Sequence, residues 1–394
     1  MPYLTDRFHD QNRQRLAGDG RDPSPAAVAA RLRTRVLGQD RAVDAVVRAI
    51  ALARAGAHDP GRPLANLLLV GPTGVGKTEL VRRVAAELRS GPDDLCRVDM
   101  SALAQEHYAA SFSGAPPGYA GSKEGFSVFD RSTVEGDPYT PGVVLFDEVE
   151  KAHPTVLRAL LHVLDAGVLR LANGQQTVSF RNTFVFLTSN LGSAELARRW
   201  RRPWRGDHAV ITDALRRFFD PEFLNRIDEV VEFSALGPDT ARGVAELEVQ
   251  ALARRMRHRG VRLDVAEEAV RLLARRGFDP VYGARAVRRH VRTDLAAPVA
   301  DEVLRVRPVG TSPVRVRVRV HEGRVIAEAE AEAVTDADAD ADAAAEADAA
   351  AGVGRRRGRF PAALRRSAPY SVTELRDAHH ILLITRTSTS AFAG

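Results

Sequence analysis

Lysine is almost missing from this 394-residue chain: Lys77, Lys123 and Lys151 stand against 54 arginines. A chain that uses arginine for generic positive charge keeps lysine where a compact ammonium on a thin stem does better than a wide planar fork. Cysteine is reduced to Cys96, which excludes an internal disulfide framework. No apolar run approaches the ~18–20 residues that span a bilayer, and the opening MPYLTDRFHDQNRQR has no signal-peptide core. These absences point to the cytoplasm and away from a membrane. The net charge of +6 would permit nucleic-acid binding, but the arginines are spread through helices and balanced locally by acids, so a nucleic-acid partner is not expected.

What is present is ordinary in bulk, 44% hydrophobic and 27% charged, enough to bury real cores. Residues 1–30 are polar with Gly, Pro and Asp breakers and read as a flexible arm. Helical periodicity starts at Arg31, breaks at Gly38-Gln39 and resumes through AVDAVVRAIALARA. NLLLV (66–70), CRVDM (96–100), GVVLFDE (142–148) and NTFVFLTSN (182–190) are short apolar runs, each followed by loop or helix material. Strands alternating with helices imply a parallel α/β sheet covered on both faces, assigned here to 31–235. A smaller domain follows over 236–330, with Ala/Arg/Leu/Val helices and PVRVRVRV (313–320) paired as a hairpin with HEGRVIAEAE. Residues 331–394, with their Asp/Ala repeat and arginine-rich stretch, cannot bury a core and are expected to be disordered.

GPTGVGKT (71–78) matches the phosphate-loop pattern G-x-x-x-x-G-K-[ST] at every position, directly after one of those strands and before a helix. Gly71, Gly74 and Gly76, with Pro72, Thr73 and Val75 between them, let backbone N–H groups wrap phosphates. Lys77 reaches the β/γ-phosphates and Thr78 offers a hydroxyl to Mg2+. The expected cofactors are therefore ATP and Mg2+. VVLFDE ends a buried strand in two acids; downstream of a phosphate loop, Asp147 is expected to hold Mg2+ through its water shell and Glu148 to orient and deprotonate the attacking water. Asn190 ends the next run at the same sheet edge, placed to meet the γ-phosphate or the water. GAPPGYAG (114–121) is a glycine- and proline-rich bend carrying an unexplained aromatic, Tyr119, between Gly118 and Ala120.

The order GPTGVGKTEL, GAPPGYAG, LFDEVEKAHP, FRNTFVFLTSNLGS, PEFLNRIDEVVEF and GFDPVYGARAVRRHV resembles the second ATPase module of the Clp-family AAA+ unfoldases, ClpB most of all, over residues 31–328. The resemblance implies an AAA+ P-loop domain followed by a small α+β lid, six subunits in a ring, and ATP-driven threading of protein through a central pore. VLGQDRAV (36–43) is similar to the segment beside the adenine, which nominates Leu37 and Gly38 for nucleotide contact. Position by position, the resemblance makes Asn190 sensor 1, Arg226 the arginine finger for a neighbouring subunit and Arg285 sensor 2. It makes Tyr119 the pore-loop aromatic, a rigid contact that grips any sequence. The implied partners are unfolded or aggregated protein chains and a homo-hexamer.

Several features depart from that pattern. Thirty residues precede Arg31, too few for the N-terminal domain, first module and middle domain of full-length ClpB-like chains. Ser122 and Lys123 follow the pore segment where the family commonly has a second tyrosine and acids, and FDRSTVEGDPYTPG lacks a clearly placed second arginine. The loop after LTSN carries no aliphatic-Gly-Phe/Leu tripeptide, so a peptidase partner is not expected. A protease regulatory subunit and a nucleic-acid-remodelling ATPase are the alternatives to the unfoldase reading.

Overall fold

A computed structural model describes residues 22–105, 112, 129–137, 139–170, 177–193, 195, 207–279, 282–307 and 313–331. The pore-loop residues Gly118, Tyr119 and Ala120, the arm before residue 22 and the tail beyond 331 lie outside the described residues.

The described chain begins earlier than its composition suggested. The helix Pro25–Arg33 starts on Ser24, whose hydroxyl accepts from the Ala27 N–H, with Pro25 at the first turn where no intrahelical donor is needed. It buries Val28, Ala29 and Leu32. The flexible arm assigned to 1–30 is thus corrected: its last residues are a packed helix. Three small apolar side chains on one face suffice for this, although the flanking residues look polar.

The core strands are β1 (Ala65–Val70), β2 (Cys96–Asp99) and β3 (Gly142–Asp147). A short antiparallel pair follows, β4 (Val168–Arg170) and β5 (Thr177–Ser179), then β6 (Thr183–Ser189) and β7 (Glu229–Glu232). Five of these form one sheet in the order β2-β3-β6-β1-β7, with every pairing parallel. β1, β3 and β6 are buried at every residue, as expected of strands with helices on both faces.

The pleat divides their side chains between two cores. Leu67, Leu69, Leu145 and Phe186 join the helices Asp40–Arg54 and Lys77–Leu88 on one face. Leu68, Val70, Phe146 and Leu187 join the helix Pro154–Ala166 on the other. All strands being parallel, their C-terminal ends meet at one edge, where the loops carrying Lys77, Asp147 and Asn190 emerge.

The second region runs from the helix Pro238–Arg257 through β8 (Val261–Val265) and the helices Glu267–Gly277, Ala284–His290 and Ala297–Val306. It ends in the hairpin β9 (Val314–His321) and β10 (Arg324–Ala331). The hairpin is antiparallel, as read from PVRVRVRV. Val314, Val316 and Val318 face the helices while Arg315 and Arg317 face outward. The added element is β8, which runs parallel to β9 and completes a three-stranded sheet. No helix among the described residues is long and apolar enough to cross a membrane.

Candidate nucleotide-binding site

The loop between β1 and the helix Lys77–Leu88 can close only with glycine at two points. Gly71 and Gly74 have φ of 149° and 74°. A Cβ on Gly71 would stand 2.5 Å from the Phe233 carbonyl oxygen, and one on Gly74 2.3 Å from that of Tyr282. The resulting cradle opens on a cleft of about 570 Å3 lined by Thr73 to Glu79. Lys77, at the first position of the helix, is buried and folds back over the loop. Its ammonium donates to the carbonyls of Gly71 (2.5 Å) and Pro72 (2.9 Å) and to Asn190 Oδ1 (2.8 Å). Burial pushes this ammonium down to about 8, opposed by the carboxylates of Glu150, Asp147 and Glu148 and reinforced by Arg285. Three acceptors around one nitrogen suit lysine's rotatable donors rather than an arginine fork.

The two acids stand across the cleft at the end of β3. Asp147 is buried, with Oδ1 accepting from Thr188 Oγ1 (2.5 Å) and Oδ2 from Arg97 (2.6 Å to Nη2). Thr188 also accepts the Glu148 N–H (2.9 Å), so one hydroxyl on β6 fixes both acids. Glu148 takes the left-handed conformation at φ 58° and ψ 53°, rare for a residue with a Cβ. Such backbone costs about 1–3 kcal/mol and persists where its surroundings impose it. Its carboxylate accepts from Asn190 Nδ2 (3.3 Å) and is paired with Lys151 one turn on. Asn190 is itself held by its N–H, donated to Glu150 Oε1 (3.0 Å). Lys77, Asp147, Glu148 and Asn190 are therefore joined by direct contacts or by a shared partner.

Arg285 reaches the same cleft from the second region, and so do Val244, Leu247 and Ala251, which with Leu236 supply an apolar wall. The link is by backbone: the Ala284 N–H donates to the Gly74 carbonyl at 2.9 Å. Leu37 lines the cleft. Gly38 does not; it packs on Thr240, whose Oγ1 would be 2.7 Å from an added Cβ. Its neighbour Gln39 clamps the backbone of Ser234 by two hydrogen bonds of 2.9 and 3.0 Å. Gly38 thus serves the turn rather than the cleft wall.

Arg226 stands apart from this cluster. Its carbonyl accepts from Asn66 Nδ2 (3.0 Å) at the N-terminal end of β1. Its guanidinium is held by the carbonyl (2.7 Å) and carboxylate (2.9 Å) of Glu222, with Asp165 at 3.6 Å. Five residues of strand, at about 3.3 Å each, separate that corner from the phosphate loop. Among the residues the motifs left unassigned are Thr188, Glu150 and Arg97; the parallel register aligning β2 and β6 with β3 is the signal that gathers them.

These residues fit a nucleoside triphosphate with a divalent cation. The glycine cradle leaves no room for a Cβ, Lys77 folds back over it, and the Asp147 carboxylate and Thr78 hydroxyl both line the cleft, donors suited to a divalent cation. Among the described residues no group of three or more His, Cys, Asp or Glu side chains could hold a metal ion.

Comparison with known proteins agrees. Residues 62–230 match the family model described as AAA domain (Cdc48 subfamily), and 236–316 match the C-terminal, D2-small domain, of ClpB protein. A Rhodococcus erythropolis protein called ATP-dependent protease ATP-binding subunit-like protein is 61% identical over 335 residues, 80% of this chain and 95% of that one. Its Pseudomonas aeruginosa counterpart, which bears the further name AmiB, is 48% identical over 295 residues, 71% of this chain and 80% of that one. The chaperone protein ClpB of Vibrio cholerae is 44% identical over 285 residues, 72% of this chain but only 33% of ClpB. Among solved structures, a closed-state reconstruction of Hsp104 with ATPγS and FITC casein superposes with a TM-score of 0.68 at 32% identity, covering 77% of this chain and 51% of that one. The chain is a Clp-family AAA+ ATPase, built as the second ATPase module of ClpB with its small domain.

Proposed function

We propose that this ATPase is a protein unfoldase that works as a homo-hexameric ring, hydrolysing ATP between subunits and drawing polypeptide through the central pore. The observation that carries the reading is the separation of Arg226 from an otherwise furnished cleft. Lys77 and Thr78 bind the phosphates and Mg2+, and Asp147 positions the metal. Glu148 deprotonates the attacking water, which Asn190 helps hold. Arg285 reports the γ-phosphate to the small domain. Arg226 stands outside this set and supplies a transition-state cation to the next subunit's cleft. Hydrolysis then depends on assembly. Tyr119, between Gly118 and Ala120, is proposed as the gripping side chain of the pore. The protein substrate draws support from the Hsp104 neighbour, which was captured with FITC casein. The site of action is proposed to be the cytoplasm.

A direct experiment measures unfolding of a tagged substrate alongside ATPase for wild type and Tyr119→Ala. Loss of unfolding with ATPase retained supports pore threading; unfolding that persists in the variant rejects it.

A second reading, the ATPase subunit of a protease, is favoured by the names of the Rhodococcus and Pseudomonas relatives. ATP-dependent degradation of the same substrate on adding a co-purified peptidase supports it, whereas release of intact unfolded substrate favours the free-standing unfoldase.

A further inference from the structure

The carboxylate assigned to the metal already carries the chain's own cation. Arg97 on β2 sends Nη2 (2.6 Å) and Nε (3.2 Å) onto Asp147 Oδ2, while Thr188 occupies Oδ1 at 2.5 Å. Both carboxylate oxygens are thereby committed. The two ends of the ion pair differ in freedom: the Asp147 side chain is 12% exposed and fixed by β3, whereas that of Arg97 is 56% exposed and lines the cleft. Strand geometry explains the reach. Cys96 and Val98 point into the core, so Arg97 and Asp99 point out. Asp99 is the register partner of Asp147, which makes Arg97 its diagonal neighbour.

A guanidinium nitrogen at 2.6 Å on Oδ2 takes the acceptor that a water of a divalent cation's shell would need, and its charge opposes that cation's approach. We propose that Arg97 is a displaceable counter-cation for the metal position. It holds Asp147 in place while the cleft is free, and it yields when the nucleotide brings its Mg2+. Asp99 receives the released guanidinium: it lies two residues on, on the same exposed side, and its carboxyl is held below the usual range by the Ser101 hydroxyl and also by Arg97. Arg97 is thus a positioning residue that sets how much Mg2+ the site needs, and arginine suits the role because it contacts Oδ2 through two nitrogens. This deepens the proposed function and rests on its assignment of Asp147 to the metal.

The test titrates Mg2+ against the full chain with a fluorescent N-methylanthraniloyl ATP analogue, for wild type, Arg97→Ala and Arg97→Lys, each checked by thermal melting. Affinity for the Mg2+-free analogue should agree across the three. The Mg2+ concentration giving half of the tightening should fall about tenfold in Arg97→Ala, or ~1.4 kcal/mol. In Arg97→Lys, which keeps a point charge but loses the fork, it should fall less. An unchanged Mg2+ midpoint in Arg97→Ala overturns the proposal. So does equal weakening with and without Mg2+, which would make Arg97 a phosphate ligand. If wild type binds no analogue at any Mg2+ level, the nucleotide reading of the cleft has failed instead.

Discussion

The two ends of the central sheet make opposite use of charge. At the C-terminal ends of β1, β3 and β6, Lys77, Asp147, Glu148 and Asn190 hold one another around an open cleft. At the N-terminal ends, Arg226, Asn66, Asp228 and Arg62 form a network running largely through backbone: the Arg226 carbonyl takes Asn66 and Arg62, and Asp228 takes the Asn66 N–H (2.7 Å). One end is a provisional arrangement whose pairs must part for a ligand. The other is a fixed mount that holds Arg226 on Glu222 and Asn66, outside the cleft lining. On the proposed function, a fold with both ends is half a catalytic site joined to the missing half of another.

Substitutions should separate the two ends. Lys77→Ala removes the cation in the cradle and should weaken nucleotide binding at least about 100-fold, since it deletes charge-assisted contacts of about 1.5–3 kcal/mol each. Isothermal titration checks this; near-normal affinity would break the cleft assignment. Glu148→Gln keeps shape and hydrogen bonding but removes the base. Turnover should fall about 100- to 10,000-fold with binding intact, measured by steady-state ATPase and by analogue binding on the same preparation. Thr188→Val leaves an unpartnered Asp147 oxygen and an unpartnered Glu148 N–H. It should lower the melting temperature by an amount reflecting roughly 1–3 kcal/mol, and turnover with it.

A smaller effect concerns pH. The Lys77 ammonium is pushed to about 8 by burial, against an ordinary 10.5. In nucleotide-free protein it therefore loses its proton as pH rises through about 8, and Mg2+-free nucleotide affinity should decline there, with proton uptake on binding. The stability sign is opposite. Between about 8 and 10.5 the unfolded chain binds more protons at this residue, so its contribution to stability rises with pH. Both trends should vanish in Lys77→Met; a pH-independent affinity up to 9.5 in wild type would contradict the burial account.

Some of this was legible from residues alone. The phosphate loop is a local motif with a local mechanism, and β1, β3 and β6 announce themselves because strands buried on both faces must be continuously apolar. The roles of Thr188 and Arg97 were not legible, because each meets Asp147 only through strand pairing across 41 and 50 residues. β8 has too short an alternation to announce itself, and its place follows from pairing with β9. The helix Pro25–Arg33 was hidden by polar neighbours, although Val28, Ala29 and Leu32 carry its packing face. Arg226 shows the reverse case: a motif nominated it, but only its mounting on Glu222 and Asn66 shows how far it stands from its own cleft.

The central claim is that each cleft is completed by the neighbour's Arg226. Arg226→Ala retains Glu148, and Glu148→Gln retains Arg226, so each alone should bind nucleotide yet hydrolyse it poorly, by about 1,000-fold or more for the arginine. Mixing the two and measuring ATPase tests the claim most directly. The account predicts that activity returns, at interfaces where an Arg226→Ala cleft faces an intact arginine. A mixture as inactive as either variant alone would contradict it.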